Sequence, residues 1–489
     1  MALPVSNPPV FAAILAGGSG QRFWPLSREL SPKQMLSVFG QESLIAQAVK
    51  RVDGFVERER VFIVTNERLF DELRNHLASH PDRSLHRLNY LQEPRARNTA
   101  PAIAYAAATV ELLDPDAVMV VLPSDHILQT GEVWRECLES AIGLAAAGHL
   151  VTIGITPTRS ETAYGYIKAG EVLPEFAVGG AVPHRADRFV EKPDAERAAA
   201  FLAEGGYSWN AGIFVLGAAR VLEEMDAFED TAEIARTARW LAGAQAAGEV
   251  DPDEARERFG ALPSISIDYA VMERSERVAV IPSALSWSDV GSLEALGDVS
   301  EADGSGNVRV GRGVDIDTHN SIIYGVDRLV ATLGVEDLMV IDTADATLVA
   351  RRDRAQDVRF VVDALKAAGA EEVVKPKVSL RPWGSWTSLL SGPGFQIKLL
   401  ELKPGGRPSL QRHHHRSEHW IVVAGTALVT RDGERIEVHV NESAYIPVGS
   451  EHRIENCGKV PLKVIEVQVG EYLGEDDIIR IEDDWNREG

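Results

Sequence analysis

The sequence predicts a chain of three parts: a doubly wound α/β domain, a small β-rich module and an all-β C-terminal domain. Through roughly the first 290 residues, short runs rich in β-branched residues alternate with Ala-rich helical patterns. From about Asn307 to Arg352, short β runs are separated by Gly and Asp turns. From about Val373 the chain is strand-rich with regular turns, as in a β-sandwich or barrel. We therefore divide the chain into residues 1–295, 296–369 and 370–489.

The N-terminal strands are short, continuous and apolar, which is typical of buried strands in a Rossmann-like mixed sheet. The clearest runs are Val10–Ala16, Val61–Thr65, Ala117–Leu122 and Leu150–Ile155. In such sheets ligands bind beyond the carboxyl ends of the strands. The residues that follow each strand are therefore the first candidates for a functional site.

Composition and charge limit the classes of function. The 489 residues are 45% hydrophobic and 25% charged, which is ordinary for a globular protein. A net charge of −23 disfavours nucleic acid or an anionic membrane as a partner. The N-terminus has no basic segment followed by an apolar core, and we find no apolar run long enough for a membrane span. Two cysteines cannot form a disulfide framework, so we expect a cytoplasmic protein.

A glycine-rich turn follows the first strand. Three glycines in four positions let the backbone turn sharply and approach a ligand closely. Their amide groups form an anion-binding nest, and Arg22 and Lys33 bring two cations to the same strand end. A strand-to-loop turn without a ligand is the simpler alternative, but the combination favours a triphosphate site. The predicted nucleotide-binding residues are Leu15, Ala16, Gly17, Gly18, Ser19, Gly20, Arg22 and Lys33.

Further polar residues follow other strands. Asn98 or Thr99 caps the next helix, and the helix N-terminus also suits contacts with a nucleotide. Asp125 follows the strand 117–122 and is either a loop cap or a Mg²⁺ ligand. Lys192, a compact cation, suits a sugar phosphate, although an isolated Lys at a strand end is usually only exposed to solvent. Residues suited to contact the sugar are Gly165, through its backbone, and Glu191 and Asn210, through their side chains.

The C-terminal region carries a second group of polar residues. Gln411 and His413 alternate along one predicted strand, so their side chains lie on the same face. Glu418 and His452 are further polar residues of the same region. Three consecutive histidines could also be an exposed polar patch.

Both groups of residues resemble known families. The segment from Leu15 to Arg28, followed by Pro32-Lys-Gln, resembles the sugar-phosphate nucleotidyltransferases and most closely the mannose-1-phosphate guanylyltransferases. The spacing from Gln411 to Gly425 and from Pro447 to Asn456 resembles the two cupin motifs. Gln411 stands in place of the usual first His, as in the phosphomannose isomerases, and Asn441 stands where many cupins have Gly.

Nearly the whole chain therefore resembles bifunctional mannose-1-phosphate guanylyltransferase/mannose-6-phosphate isomerase. The resemblance implies Asp125 and Asp289 as a Mg²⁺ pair, a β-helix-like middle module, and a cupin metal such as Zn²⁺ or Co²⁺ held by Gln411, His413, Glu418 and His452. It implies GTP, mannose 1-phosphate, mannose 6-phosphate and fructose 6-phosphate as substrates, GDP-mannose for polysaccharide synthesis as the product, and a homodimer.

For catalysis we predict Arg22, Lys33 and Lys192 in the N-terminal domain, and Arg412 and His414 in the cupin domain. Arg407, Arg381 and Arg480 are further candidates for holding the phosphate of the isomerase substrate. Two alternatives stay open: a guanylyltransferase with a structural or regulatory cupin domain, and a regulatory subunit that binds sugar nucleotides without turnover. The intact set Arg22, Lys33, Asp125, Lys192 and Asp289 argues against the second.

Overall fold

The computed structural model describes residues 8–18, 20–40, 42–298 and 301–483. These residues form two compact units. The first unit contains the described residues up to Asp71, Arg87–Thr343 and Thr347–Val373. The second contains Glu72–His86, Ala344–Ala346 and the described residues from Val374 onward. The first unit thus includes most of the predicted N-terminal domain and most of the predicted middle module. The predicted boundaries after residues 295 and 369 stay predictions.

The first unit is built on a nine-stranded mixed sheet, as predicted. The strands of this region are β1 Val10–Leu15, β2 Val61–Asn66, β3 Asn89–Glu93, β4 Val118–Pro123, β5 Ile127–Leu128, β6 Leu150–Ile155, β7 Tyr166–Val172, β8 His184–Val190, β9 Tyr207–Gly217, β10 Val278–Ser283 and β11 Trp287–Ser288. The sheet order is β3-β2-β1-β4-β9-β6-β10-β8-β7. Strands β1 to β4 are parallel, and β9 is antiparallel to both of its neighbours β4 and β6.

Helices flank the strands and bury apolar faces against them. They are α1 Leu44–Lys50, α2 Glu67–Ser79, α3 Thr99–Leu113, α4 Glu132–Ala146, α5 Ala195–Glu204, α6 Ala218–Asp226, α7 Ala232–Ala247, α8 Pro252–Ala261 and α9 Ala295–Asp298. Helix α3 is mostly small apolar residues and is buried along most of its length, which lets it pack closely on the sheet. Its N-cap is Asn98, whose side chain accepts a hydrogen bond from the Thr99 amide.

Strands β5 and β11 form a separate two-stranded antiparallel ribbon. Trp287 pairs with Leu128 and Ser288 pairs with Ile127. Asp125 lies just before β5 and Asp289 just after β11. Since the strands are antiparallel, these two ends meet, and the ribbon brings together two carboxylates that are far apart in the sequence.

The middle module has its own four-stranded sheet. Its strands are β12 Val308–His319, β13 Ile322–Glu336, β14 Leu338–Asp342 and β15 Thr347–Arg351, followed by the helix α10 Val358–Ala367. Strands β12, β13 and β14 follow one another in parallel register, as in the coils of a β-helix, whereas β15 is antiparallel. Strands β12 and β13 are longer than the short runs that the sequence predicts.

The second unit is a sandwich of two antiparallel sheets, which confirms the predicted all-β fold. Its strands are β16 Val378–Arg381, β17 Gly384–Gly392, β18 Phe395–Leu402, β19 Leu410–His413, β20 Arg416–Ala424, β21 Ala427–Arg431, β22 Glu434–Val438, β23 Ser443–Ile446, β24 His452–Glu455, β25 Leu462–Gly470 and β26 Ile478–Glu482. The sheet orders are β16-β17-β18-β25-β20-β23 and β22-β21-β24-β19-β26. Asn441 has φ 68°, a left-handed conformation that Asn adopts more readily than most residues.

Two further observations concern membranes and cysteines. Within the described ranges, no helix has both the length and the apolar character needed to cross a bilayer. Cys137 is buried, Cys457 is exposed, and both are free thiols.

Candidate active sites

The glycine-rich turn after β1 is held by side chains that bind its carbonyl oxygens. Gln34 donates from Nε2 to the carbonyl oxygens of Ala16 and Gly18, each at 3.1 Å. Asn66 donates to the Gly17 carbonyl oxygen at 3.2 Å. Gly20 has φ 57°, and a Cβ atom there would lie 2.6 Å from the Lys33 Cβ, so only glycine fits. Ser19 lies outside the described residues.

A cavity of about 450 Å³ opens at the carboxyl ends of the central strands. Eleven of the predicted site residues line it, although they come from distant parts of the sequence: Leu15, Gly17, Gly18, Asn98, Thr99, Asp125, Gly165, Glu191, Lys192, Asn210 and Asp289. Other lining residues were not predicted, among them Glu93, Arg97, His126, Asp268 and Trp287. The cavity therefore combines the predicted nucleotide and sugar residues in one place.

A second cavity, of about 420 Å³, shares the two aspartates with the first. It is lined by Gly20, Gln21, Arg22, Phe23, Lys33, Asp125, His126, Asp289, Val290, Gly291 and Arg359. Arg359 belongs to α10 of the middle module, in which the sequence predicts no catalytic residue. Arg22 and Arg359 are both exposed. The two guanidinium groups have no carboxylate partner among the described residues.

Lys33 is buried and surrounded by acceptors. Its Nζ lies 2.9 Å from Asp125 Oδ2 and donates to the carbonyl oxygens of Asp289, at 2.8 Å, and Val290, at 2.9 Å. Asp289 Oδ1 also accepts a hydrogen bond from the Tyr164 hydroxyl at 2.8 Å. Loss of hydration opposes the charge on Asp125, but Lys33 and His126 hold the pKa of its carboxyl below the usual value. Lys33 thus organises the two aspartates.

A dense polar cluster surrounds Lys192. Lys192 itself has φ 47° and its Nζ lies 2.5 Å from Glu191 Oε1. Asn210 donates to Asp268 Oδ1 at 2.8 Å and accepts from the Thr152 hydroxyl at 3.0 Å. Asp268 lies in a π-helical turn, and burial together with the charge of Glu191 raises the pKa of its carboxyl to about 6.

Gly165 is a further tight position in this cluster. A Cβ atom at Gly165 would lie 2.5 Å from Glu191 Oε2, so a side chain there would displace Glu191.

Glu93, at the end of β3, is a buried carboxylate without a partner. The residue is only 4% exposed, and its Oε1 accepts no hydrogen bond. Burial raises the pKa of its carboxyl to about 8. The other oxygen, Oε2, would lie 3.5 Å from a Cβ atom on Gly17, so the carboxylate stands directly beside the glycine-rich turn.

In the second unit, three of the four predicted metal ligands form a compact buried cluster. Ligand atoms of His413, Glu418 and His452 all lie within 4.8 Å of one another. Nε2 of His413 is 3.1 Å from Glu418 Oε1, and Nε2 of His452 is 3.7 Å from Glu418 Oε2. Gln411 pairs with His452 in the sheet, and its Nε2 is 3.5 Å from His413 Nε2. The sequence thus identified a group that the fold brings together.

The two predicted catalytic residues of this unit lie away from that cluster. Arg412 alternates with Gln411 and His413 along β19 and therefore points to the opposite face. His414 is exposed in the turn after β19, where its amide donates to Asp477. Sequence analysis missed Arg416, a buried cation whose Nε is 3.4 Å from Glu418 Oε1. Its position two residues before Glu418, on the same strand face, was the available signal.

The chemistry of both donor sets fits divalent cations. Asp125 and Asp289 are hard oxygen ligands beside a cavity, as Mg²⁺ requires. In the second unit, the ring nitrogen Nδ1 of His452 lies 2.9 Å from the Ser450 carbonyl oxygen, which fixes Nδ1 as the protonated nitrogen. His452 Nε2 is then buried without a hydrogen-bond partner, as expected of a nitrogen that coordinates a metal ion.

Comparison with known families covers most of the chain. Residues 11–306 match the nucleotidyl transferase family. Residues 311–365 match the MannoseP isomerase/GMP-like beta-helix domain, and residues 368–483 match the mannose-6-phosphate isomerase C-terminal family. By fold and site, the protein is a nucleotidyltransferase joined through a β-helix module to a cupin.

Relatives of similar length indicate which nucleotidyltransferases the chain is similar to. The chain is 44% identical to the xanthan biosynthesis protein XanB of Xanthomonas campestris pv. campestris, over 98% of this chain and 99% of the relative. It is 44% identical to mannose-1-phosphate guanylyltransferase ManC of Salmonella typhimurium, over 98% of each. It is 43% identical to the alginate biosynthesis protein AlgA of Pseudomonas aeruginosa, over 97% of this chain and 96% of the relative.

A solved structure supports the fold over most of the chain. The crystal structure of mannose-1-phosphate geranyltransferase from Thermus thermophilus matches with a TM-score of 0.63 at 33% identity, over 73% of this chain and 99% of that one. The chain belongs to the bifunctional mannose-1-phosphate guanylyltransferase/mannose-6-phosphate isomerase family.

Proposed function

We propose that the first unit transfers GMP from GTP to mannose 1-phosphate, and that the second unit interconverts mannose 6-phosphate and fructose 6-phosphate. The observation that carries the first reaction is the cavity of about 450 Å³, which is lined by the glycine-rich turn, Asp125, Asp289 and Lys192. The observation that carries the second is the buried His413, Glu418 and His452 cluster.

Nucleotidyl transfer needs alignment and charge neutralisation more than acid–base chemistry. The phosphate of mannose 1-phosphate is largely dianionic near pH 7, so no base has to activate it. One of its oxygens bonds to the α-phosphorus of GTP, the bond from that phosphorus to the bridging oxygen breaks, and pyrophosphate leaves with the electron pair. Lys192 holds the attacking phosphate, and the amides of the glycine-rich turn hold the triphosphate.

The departing pyrophosphate needs cations that are not already paired. Lys33 is fully engaged by Asp125 and two carbonyl oxygens, so its role is to position the aspartates. Arg22 and Arg359 line the second cavity and carry the charges that face the β- and γ-phosphates. Mg²⁺, held by Asp125 and Asp289, supplies further neutralisation of the triphosphate when bound.

The isomerase reaction moves one proton from C2 to C1 of the open-chain sugar, and the proton of the C2 hydroxyl is transferred to the C1 oxygen. The aldehyde of mannose 6-phosphate becomes the C2 ketone of fructose 6-phosphate, with no gain or loss of electrons. A divalent transition metal such as Zn²⁺ or Co²⁺, held by Gln411, His413, Glu418 and His452, polarises the carbonyl oxygen when bound. Arg416 stabilises the charge of Glu418 from beside the cluster. Arg412 and His414 stay predictions as catalytic residues.

The alternative of a structural cupin domain is less well supported. A structural core would fill this position with apolar side chains, because buried charges are costly without a function. Here, two histidines, a glutamate and an arginine are each nearly fully buried in one cluster. The sequence match of residues 368–483 to the isomerase family also favours an isomerase over a structural domain.

Purified protein tests both reactions in parallel. GDP-mannose formation is followed from GTP, mannose 1-phosphate and Mg²⁺, and fructose 6-phosphate formation is followed from mannose 6-phosphate with Zn²⁺ or Co²⁺. Both products are expected. Transfer without isomerisation would support the structural cupin, and binding of substrates without any turnover would support a sensing role.

The cellular context follows from these substrates. The expected product, GDP-mannose, supplies polysaccharide synthesis, and relatives of the chain carry xanthan and alginate biosynthesis in their names. Cytoplasmic location fits the supply of GTP and the free thiols of Cys137 and Cys457.

A homodimer is supported by exposed apolar side chains on β12 and β13, including Ile316 at 56% and Leu333 at 72% exposed. These two residues pair directly in the sheet. Light scattering should give twice the chain mass, and Leu333→Glu should give the mass of one chain.

A further inference from the structure

The two carboxylates that suit Mg²⁺ are held in different ways. Lys33 contacts the Asp125 carboxylate directly, with 2.9 Å between its Nζ and Asp125 Oδ2. It contacts the second aspartate only through the main chain, by donating to the carbonyl oxygens of Asp289 and Val290. Lys33 therefore fixes the main chain at Asp289 but leaves the rotation of the Asp289 carboxylate undetermined.

Tyr164 supplies the contact with the Asp289 side chain. Its hydroxyl donates to Asp289 Oδ1 at 2.8 Å. The other oxygen, Oδ2, lies beside Gly291, where an added Cβ atom would be 3.1 Å from it. A hydrogen bond to one oxygen sets the rotation of a carboxylate and leaves the second oxygen for a cation. The Tyr164 hydroxyl thus determines which way the Asp289 carboxylate faces.

Aromatic rings hold Tyr164 in place. The Tyr164 ring packs edge to face against the rings of Trp209 and Trp287, with centroid distances of 5.3 and 5.1 Å. Trp287 begins β11, and its Nε1 donates at 3.2 Å to Nδ1 of His126, the residue after Asp125. These ring contacts therefore connect Tyr164 to both strands of the β5–β11 ribbon, which brings the two aspartates together.

Tyr164 also lies next to residues that we propose for the sugar. It immediately precedes Gly165, where an added Cβ atom would lie 2.5 Å from Glu191 Oε2. The Gly165 carbonyl oxygen accepts a hydrogen bond from the Asn210 amide at 2.8 Å. Tyr164 and these three residues line the same cavity. The segment that carries the hydroxyl is therefore anchored in the wall of the cavity and does not depend on Asp289 for its position.

We propose that Tyr164 is a positioning residue that orients the Asp289 carboxylate for Mg²⁺. The inference rests on the proposed nucleotidyl transfer and adds to it the residue that prepares the second aspartate. A carboxylate that the protein already holds does not have to reorient when the ion binds, so its affinity for the ion is higher. Tyr164 does for the side chain of Asp289 what Lys33 does for that of Asp125.

The direct test is the binding of Mn²⁺, a paramagnetic substitute for Mg²⁺ with the same preference for oxygen ligands, to the full chain. Electron paramagnetic resonance measures the free ion during the titration. The cupin cluster also takes divalent ions, so Asp289→Asn defines the background. The Mn²⁺ that the wild-type protein binds and Asp289→Asn does not bind belongs to the transferase site.

Tyr164→Phe keeps the ring and removes only the hydroxyl. The Kd for Mn²⁺ at the transferase site should rise by about 10-fold, because the hydrogen-bond partner of a metal ligand is lost. Tyr105→Phe is the matched control: its hydroxyl donates to Gln245 at 2.6 Å, and its loss should leave this Kd unchanged. An unchanged or lower Kd in Tyr164→Phe would overturn the inference.

Turnover and stability separate positioning from a structural role. In Tyr164→Phe, the Mg²⁺ concentration for half-maximal GDP-mannose formation should rise, and saturating Mg²⁺ should restore most of the lost rate. A lower melting temperature with an unchanged Kd for Mn²⁺ would show that the hydroxyl is only structural, and the inference would be wrong.

The same titration distinguishes this inference from the proposed reaction. If the wild-type protein binds Mn²⁺ at the transferase site, Tyr164→Phe binds it more weakly and no GDP-mannose forms, the proposed transfer fails and the role of Tyr164 stands. If Asp289→Asn binds as much Mn²⁺ as the wild-type protein, Asp289 holds no metal ion. The inference then fails whether or not transfer occurs.

Discussion

At the scale of single residues, both sites contain buried polar groups without protein partners. Glu93 beside the glycine-rich turn and His452 in the cupin cluster each have a buried atom that makes no hydrogen bond. Buried polar atoms without a hydrogen bond are uncommon in native folds. The atoms of Glu93 and His452 both lie where a ligand is expected. By contrast, Lys33 was predicted as a cation that holds the triphosphate, and its contacts with three acceptors of the protein could not be inferred from the sequence.

Lys192 should control the affinity for mannose 1-phosphate. Lys192→Ala removes the cation that we propose for the sugar phosphate, so KM for mannose 1-phosphate should rise by about 10- to 100-fold. KM for GTP should change little, because Lys192 follows β8 whereas the glycine-rich turn follows β1. Steady-state kinetics with each substrate varied in turn measures both values. Lys168→Ala is the matched control, since Lys168 pairs with Glu204 outside the cavity; an unchanged KM in Lys192→Ala would contradict the assignment.

At the scale of elements, the sequence predicted the positions of the strands better than the pairing between them. Val10–Leu15 and Leu150–Ile155 were predicted almost to the residue because continuous apolar runs are distinctive. The β5–β11 ribbon was missed, since two strands of two residues leave no periodic signal. That ribbon is nevertheless what brings Asp125 and Asp289 together, a pairing that the sequence predicted only through family resemblance.

Helix α10 should contribute to the triphosphate site through Arg359. Arg359→Ala removes an exposed cation from the second cavity, and exposed charge pairs contribute up to about 1 kcal/mol. KM for GTP should therefore rise by up to about fivefold, and KM for pyrophosphate in the reverse reaction by a similar factor. KM for mannose 1-phosphate should stay constant. Arg354→Ala is the control, because Arg354 precedes the same helix and pairs with Asp357; equal effects of the two variants would contradict a specific role.

At the scale of the whole molecule, sequence and structure agree on the order of the parts and differ on their grouping. The sequence separates the middle module from the N-terminal domain because its turns and strands have a different pattern. The structure includes most of both in one compact unit, in which Arg359 and Asp125 line the same cavity. Such grouping depends on packing between distant segments, which local patterns do not encode.

Because the two sites lie in different units, we predict that one activity can be abolished without loss of the other. Gln411→Ala and His452→Ala should abolish isomerisation and lower the bound transition metal, because each removes a proposed ligand: His452 belongs to the buried cluster and Gln411 lies beside it. GDP-mannose formation should stay at the wild-type rate, since the residues of both transferase cavities belong to the first unit. Metal analysis and the two product assays on the same preparation measure all three properties. His419→Ala is the control: its exposed side chain contacts Ser443 and should leave both activities unchanged. If His452→Ala lost both reactions while His419→Ala kept both, the two units would be coupled through the metal site, and their independence would be wrong.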